Sequence, residues 1–120
     1  MKNTTLVLGA SLKEDRYSNK AIKLLDSKGV NVKAIGNRQG RVNEVEVVTE
    51  KIMFNDIDTV TLYLSAKNQV IYYDYIISLN VNRVIFNPGT ENSELKNLLE
   101  KNGVKTELAC TLVLLSTGQY

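Results

Sequence analysis

Thr4-Thr5-Leu6-Val7-Leu8, followed by Gly9-Ala10-Ser11-Leu12-Lys13-Glu14-Asp15-Arg16-Tyr17-Ser18-Asn19, is the stretch whose reading decides the fold. Its first five residues are rich in β-formers and lack polar alternation, the pattern of a central strand buried on both faces. The run ends at Gly9. A helical pattern over residues 18–28 then begins, with Ser18 as candidate N-cap, Ala21, Ile22, Leu24 and Leu25 at helical spacing, and Gly29 as the stop. Residues 30–35 supply a second β-rich run, closed by Gly36. Strand, helix and strand in that order make one βαβ unit.

The same alternation continues downstream. Gly36-Asn37-Arg38-Gln39-Gly40 reads as a turn-rich loop, and residues 45–49 as a short edge strand. Strands are expected over 59–64, 83–86 and 104–108. Ser65 is placed to cap a helix running through Asn80, with Val70, Tyr73, Ile76 and Ile77 on one side. Asn92 is placed to cap another that carries Leu95, Leu98 and Leu99 and stops at Gly103, and residues 111–117 form a short terminal helix. No repeat, low-complexity tract or linker divides the chain. The expectation is one domain over residues 1–120, a three-layer α/β Rossmann-like fold with a mainly parallel central sheet.

Composition narrows the function. With 120 residues, 43% apolar and 23% charged, the chain has an ordinary globular make-up. No apolar run approaches the ~20 residues of a membrane span, and the start MKNTTLVLGAS lacks the pattern of a signal peptide. A lone cysteine, Cys110, excludes an intrachain disulfide and suits a reducing compartment, so a soluble, cytoplasmic protein without membrane partners is expected. The chain contains no histidine, which removes the imidazoles of common zinc sites and of Ser-His-Asp triads; no metal site and no catalytic constellation is read. A net charge of +2 falls short of a nucleic-acid binder. Charge is concentrated locally, however: residues 10–41 carry eight Lys/Arg against three acids, enough to favour one small polyanion.

In an open α/β sheet, ligands bind beyond the carboxyl ends of the strands, where strand order reverses. The loop after the first strand offers Gly9 and Ala10 for close backbone approach, a hydroxyl on Ser11 and a forked cation on Arg16. Tyr17, Ser18 and Asn19 lie at the start of the helix, whose free N–H groups suit a phosphate. It is not the G-x-G-x-x-G fingerprint, since only one glycine is present. The same string also reads as a surface loop with an ordinary cap. After the second strand stand Gly36, Asn37 and Arg38, with no acid for ribose hydroxyls; an arginine there fits a phosphorylated ribose, as in NADP or coenzyme A, or is a solvated loop charge. Ser65 ends the strand over 59–64. Asn87-Pro88-Gly89-Thr90-Glu91-Asn92 forms a third wall or a plain turn with a cap, and Cys110 is core filler, a reactive thiol or a partner for a ligand sulfur. Tyr72, Tyr73 and Tyr75 read as partial core or a subunit contact rather than a stacking platform.

Taken in order, Val7-Leu8-Gly9-Ala10-Ser11, Arg16-Tyr17-Ser18, Asn87-Pro88-Gly89 with Glu91-Asn92, and Ala109-Cys110 resemble the small stand-alone CoA-binding domain family. These are single Rossmann-like domains similar to the CoA-binding part of succinyl-CoA synthetase alpha subunits, and the resemblance covers essentially the whole chain. It implies that residues 9–11 and 16–19 hold CoA phosphates, that residues 36–38 lie by the adenosine end, and that residues 87–89 flank the pantetheine. Two departures stand out: Gly36-Asn37-Arg38 replaces the family's usual Asn-Pro, and Thr111-Leu112 follows Cys110 where relatives show Pro and Glu. The synthetases' phosphorylated histidine has no counterpart here. The expectation is a protein that binds CoA or an acyl-CoA without catalysis of its own. Alternatives are an NADP-dependent reductase or redox sensor, and a ligand-free domain that pairs with itself or with a partner enzyme.

Overall fold

The computed structural model describes residues 2–120. Among them, β1 (Thr4–Ala10), β2 (Asn31–Gly36), β3 (Gly40–Val42), β4 (Val45–Val48), β5 (Ile57–Leu62), β6 (Arg83–Phe86) and β7 (Lys105–Leu108) form one sheet in the order β3-β4-β2-β1-β5-β6-β7. All neighbouring pairs are parallel except β3 with β4. The helices are α1 (Tyr17–Ser27), α2 (Ala66–Gln69), α3 (Tyr73–Ser78), α4 (Ser93–Lys101) and α5 (Thr111–Ser116). No helix among the described residues is long and apolar enough to cross a membrane.

Side-chain alternation along β1 divides the core. Leu6 and Leu8 face one side, with Tyr75 and Ile76 of α3 and Leu95 and Leu99 of α4. Val7 and Ala10 face the other, with Ile22 and Leu25 of α1 and Leu115 of α5. Because both faces are covered, β1 has no polar alternation: its residues from Thr4 to Leu8 are all buried. The result is the expected three-layer α/β Rossmann-like fold.

Three local expectations are corrected. Residues 45–49 are not the sheet edge, because Gly40–Val42, of which the sequence assigns only Gly40 to a loop, form β3 and pair outside β4. The turn between them rests on Asn43, whose φ of 53° is one that Asn adopts more readily than most residues. The helix expected through Asn80 is broken: Val70–Tyr72 tighten into a 3₁₀ turn between α2 and α3, and Val70, placed on the apolar side, is exposed. Four successive β-branched or aromatic residues, Val70 to Tyr73, crowd their χ1 angles and weaken the α-helix there. Finally, Ser18 does not cap α1. Arg16 occupies the cap position with extended backbone, and Ser18 is buried inside the first turn. Asn92 does cap α4, its side chain accepting from the Leu95 amide at 3.1 Å.

Asn87 holds the carboxyl ends of the central strands to α5. Its Nδ2 donates to Thr61 Oγ1 at 2.7 Å and to the Leu62 carbonyl at 2.8 Å, while its Oδ1 accepts the Thr111 amide at 2.8 Å. The side chain is buried and its amide fully used by the protein. Asn87→Ala is expected to destabilise the fold by about 3 kcal/mol, since it strands a buried carbonyl and a buried amide. Urea unfolding measures this; a loss below about 1 kcal/mol would show that water replaces the lost partners.

Candidate functional site

Strand order reverses at β1: β2 follows it on one side and β5 on the other. Beyond the carboxyl ends of β1, β2 and β5, at this reversal, an open cleft of about 700 Å³ is lined by the loops after β1, β2, β5 and β6. Gly9 opens it. Its φ is +96°, and a Cβ there would lie 2.9 Å from the Tyr63 carbonyl carbon, so the backbone can follow this path only without a side chain.

The phosphate-type wall is built by short local bonds. The Ser11 hydroxyl accepts the Lys13 amide at 3.1 Å, leaving its own hydrogen available to donate. Asn19, buried in the first turn of α1, donates to the Ser11 carbonyl at 2.9 Å and so ties the loop to the helix. No side chain caps α1 and its first turn holds no acid, so its leading N–H groups point outward with their positive end unneutralised. Among the described lining residues, Lys13, Arg16 and Arg38 are cations and none is Asp or Glu. None of the three forms an ion pair among the described residues.

The cleft gathers twelve of the residues read from sequence: Gly9, Ala10, Ser11, Arg16, Tyr17, Ser18, Gly36, Asn37, Arg38, Ser65, Pro88 and Gly89. Three others do not line it. Asn19 and Asn87 are buried struts, and Cys110 sits half-buried at the cap position of α5. Leu12, Lys13, Ile35 and Thr90 lie inside the wall segments read from sequence without being singled out as contacts, and Tyr63, Leu64 and Tyr72 fall outside those segments. Leu12 and Lys13 lie inside the quoted loop and follow from its path; Tyr72 carried no signal that would separate cleft from core.

Tyr63 lines the cleft, while its hydroxyl is buried beside Thr61 and Thr111 without a hydrogen bond of its own. The two threonine hydroxyls bond each other at 2.7 Å. Burial pushes the Tyr63 phenol up to about 12, and burial does the same to Tyr75. The unfolded chain ionises these groups near 10 and the folded chain keeps their protons to about 12, so their contribution to stability is complete below pH 10 and lost as pH rises to 12. Urea midpoints should therefore fall over that interval and fall less steeply in Tyr63→Phe. An identical slope in the variant would show that Tyr63 ionises as freely in the folded protein as in the unfolded chain.

Comparisons with known proteins bear on the family and the fold. The chain matches the model of the CoA binding domain over residues 3–116. A search of curated proteins found no match. Among solved structures, one described as an uncharacterized protein is 42% identical, with a TM-score of 0.95 and 100% of this chain and 99% of that one covered. A Thermus thermophilus protein, cell-free ID.343, shares 15% identity at a TM-score of 0.86, covering 99% and 91% of the two chains. A hypothetical protein from Pyrococcus horikoshii OT3 shares 24% at 0.84, covering 97% and 82%; these last two likenesses show the fold alone. With its family model matched from the first strand to the last helix, the chain belongs to the CoA binding domain family.

Proposed function

We propose that the chain, as one binding unit over residues 1–120, holds coenzyme A or an acyl-CoA in the cleft and catalyses no reaction by itself. The observation that carries this reading is the charge of the cleft: three cations and no carboxylate among its described lining residues, around a glycine-opened turn and an uncapped helix start. A CoA molecule brings a pyrophosphate and a 3′-phosphate on one end and a long, mostly neutral pantetheine arm on the other. Lys13, Arg16, the Ser11 hydroxyl and the first amides of α1 receive the pyrophosphate. Arg38, across the cleft at the end of β2, receives the ribose phosphate, and the arm runs toward the neutral wall of Pro88, Gly89 and Thr90. Cys110 lies outside the lining, so a mixed disulfide with the ligand thiol has no support in the geometry.

Thermal unfolding with CoA, desulfo-CoA, NADPH, NAD and ADP in parallel tests the reading. CoA and desulfo-CoA should raise the midpoint equally, with ~2.7 kcal/mol of stabilisation at a hundredfold excess over the dissociation constant. NAD, lacking the ribose phosphate, should not. A shift with NADPH alone would transfer the cleft to a dinucleotide.

A further inference from the structure

Two walls of the cleft are fastened to each other by one side chain. Leu64, after β5, and Thr90, after β6, both line the cleft. Gln69, the last residue of α2, is fully buried, and its Nε2 donates to the carbonyls of both, each at 2.8 Å. A carboxamide nitrogen has two hydrogens, and each is committed to a different loop. Its oxygen is held too: Oε1 accepts from Asn92 Nδ2 at 2.9 Å. Asn92 is the residue that caps α4, and its Nδ2 also donates to the Tyr73 hydroxyl at 2.9 Å, which donates to Glu94 at 3.0 Å. Thr90 is anchored from its other side, where its hydroxyl and its amide both donate to the Asn87 carbonyl, at 2.7 and 3.0 Å.

We propose that Gln69 is a positioning residue that presets the separation of the Leu64–Ser65 and Pro88–Thr90 walls, and thereby the affinity of the cleft for CoA. The inference rests on the reading of the cleft as a CoA site. No sequence pattern marks Gln69, and it touches no part of the cleft lumen. Its effect passes through two backbone carbonyls that have no other donor among the described residues. In a dry interior both bonds are costly to open, so the walls hold one spacing before a ligand arrives and binding is spared the cost of ordering them. Without the carboxamide, the two carbonyls must turn toward water, and the walls part.

Two substitutions test this in the full chain. Gln69→Glu keeps size and shape but sets an acceptor against two acceptors when ionised. Protonated, it regains one donor. Gln69→Met removes both donors at every pH and guards against failure of the first variant to fold. CoA affinity is measured at about pH 9.5 and about pH 5, values on either side of a carboxyl raised by burial as far as about 9. The natural chain, whose Tyr73, Glu91 and Glu94 face the same network, serves as control at each pH. Amide exchange of residues 64–66 and 87–92 is followed without ligand. The expected result is a loss of about tenfold in affinity for both variants at the higher pH. Recovery at the lower pH should appear in Gln69→Glu alone, and exchange should rise at those two segments only. A folded variant that binds CoA as tightly as the natural chain, or exchange raised evenly over the whole chain, overturns the proposal. Should the natural chain not bind CoA at all, the reading of the cleft fails and with it the affinity clause, while local exchange still decides whether Gln69 sets the walls.

Discussion

Arg16→Glu is expected to lower the affinity for CoA about a hundredfold while leaving the protein as stable as before. Arg16 is exposed at the cap position of α1, lines the cleft and has no ion pair among the described residues, so the fold does not depend on its charge. A carboxylate there sits at the positive end of α1 and is, if anything, slightly favourable to the helix. For a bound pyrophosphate the consequences run the other way. A charge-assisted hydrogen bond worth about 1.5–3 kcal/mol is lost and a repulsion of about 1 kcal/mol is added, and together these approach the ~2.7 kcal/mol that corresponds to a hundredfold. Arg16→Ala should give the first part alone. Titration of each variant with CoA, alongside its thermal midpoint, measures both quantities; affinity unchanged in Arg16→Glu would move the phosphates away from α1.

Gly36→Ala is expected to be strongly damaging for so small a substitution, costing about 3 kcal/mol and lowering the thermal midpoint by roughly 10 °C. Its backbone φ is ordinary, so the cause is space rather than conformation. A Cβ at Gly36 would stand 2.2 Å from the Ala10 carbonyl oxygen and 3.2 Å from a Val47 methyl. Gly36 pairs with Ala10 at the last rung between β1 and β2, so the oxygen cannot retreat without opening the ladder that shapes the cleft. Gly40→Ala is the control. The atoms its Cβ would meet, at 2.7 and 2.9 Å, are the two terminal methyls of Leu12, which can rotate away, and its cost should stay within about 1 kcal/mol. Equal costs for the two would show that β1 and β2 separate easily at their ends.

These effects depend on which parts of the molecule could be read along the chain and which could not. β1, β5 and β6 follow from β-rich runs, because burial on both faces leaves no polar alternation, whereas β2 and β7, exposed at Asn31, Lys33 and Lys105, follow from their place between a helix-ending Gly and the next loop. β3 is three residues long, and its pairing with β4 is set by a partner two residues away rather than by its own composition. Most of the cleft was legible for a related reason: in a parallel sheet the loops after the strands converge on one end, so naming the strand ends names the walls. Direction was not legible. Asn87 and Pro88 are neighbours in one turn string, yet Asn87 points into the protein to Thr61, Leu62 and Thr111 while Pro88 faces the cleft. Ser18 is read as a cap because serine commonly is one, but the cap lies two residues earlier, at Arg16, and Ser18 falls inside the first turn with its side chain buried. Gln69 was invisible because its role lies in two carbonyls that are distant in sequence.

Titration calorimetry of the natural chain with CoA and with dephospho-CoA tests the central claim most directly. The expected result is one saturable site for CoA and affinity about tenfold weaker for dephospho-CoA, the loss of one charge-assisted contact at Arg38. Equal affinity for the two would remove Arg38 from the site, and no saturable heat with CoA would contradict the assignment of the cleft as a CoA site.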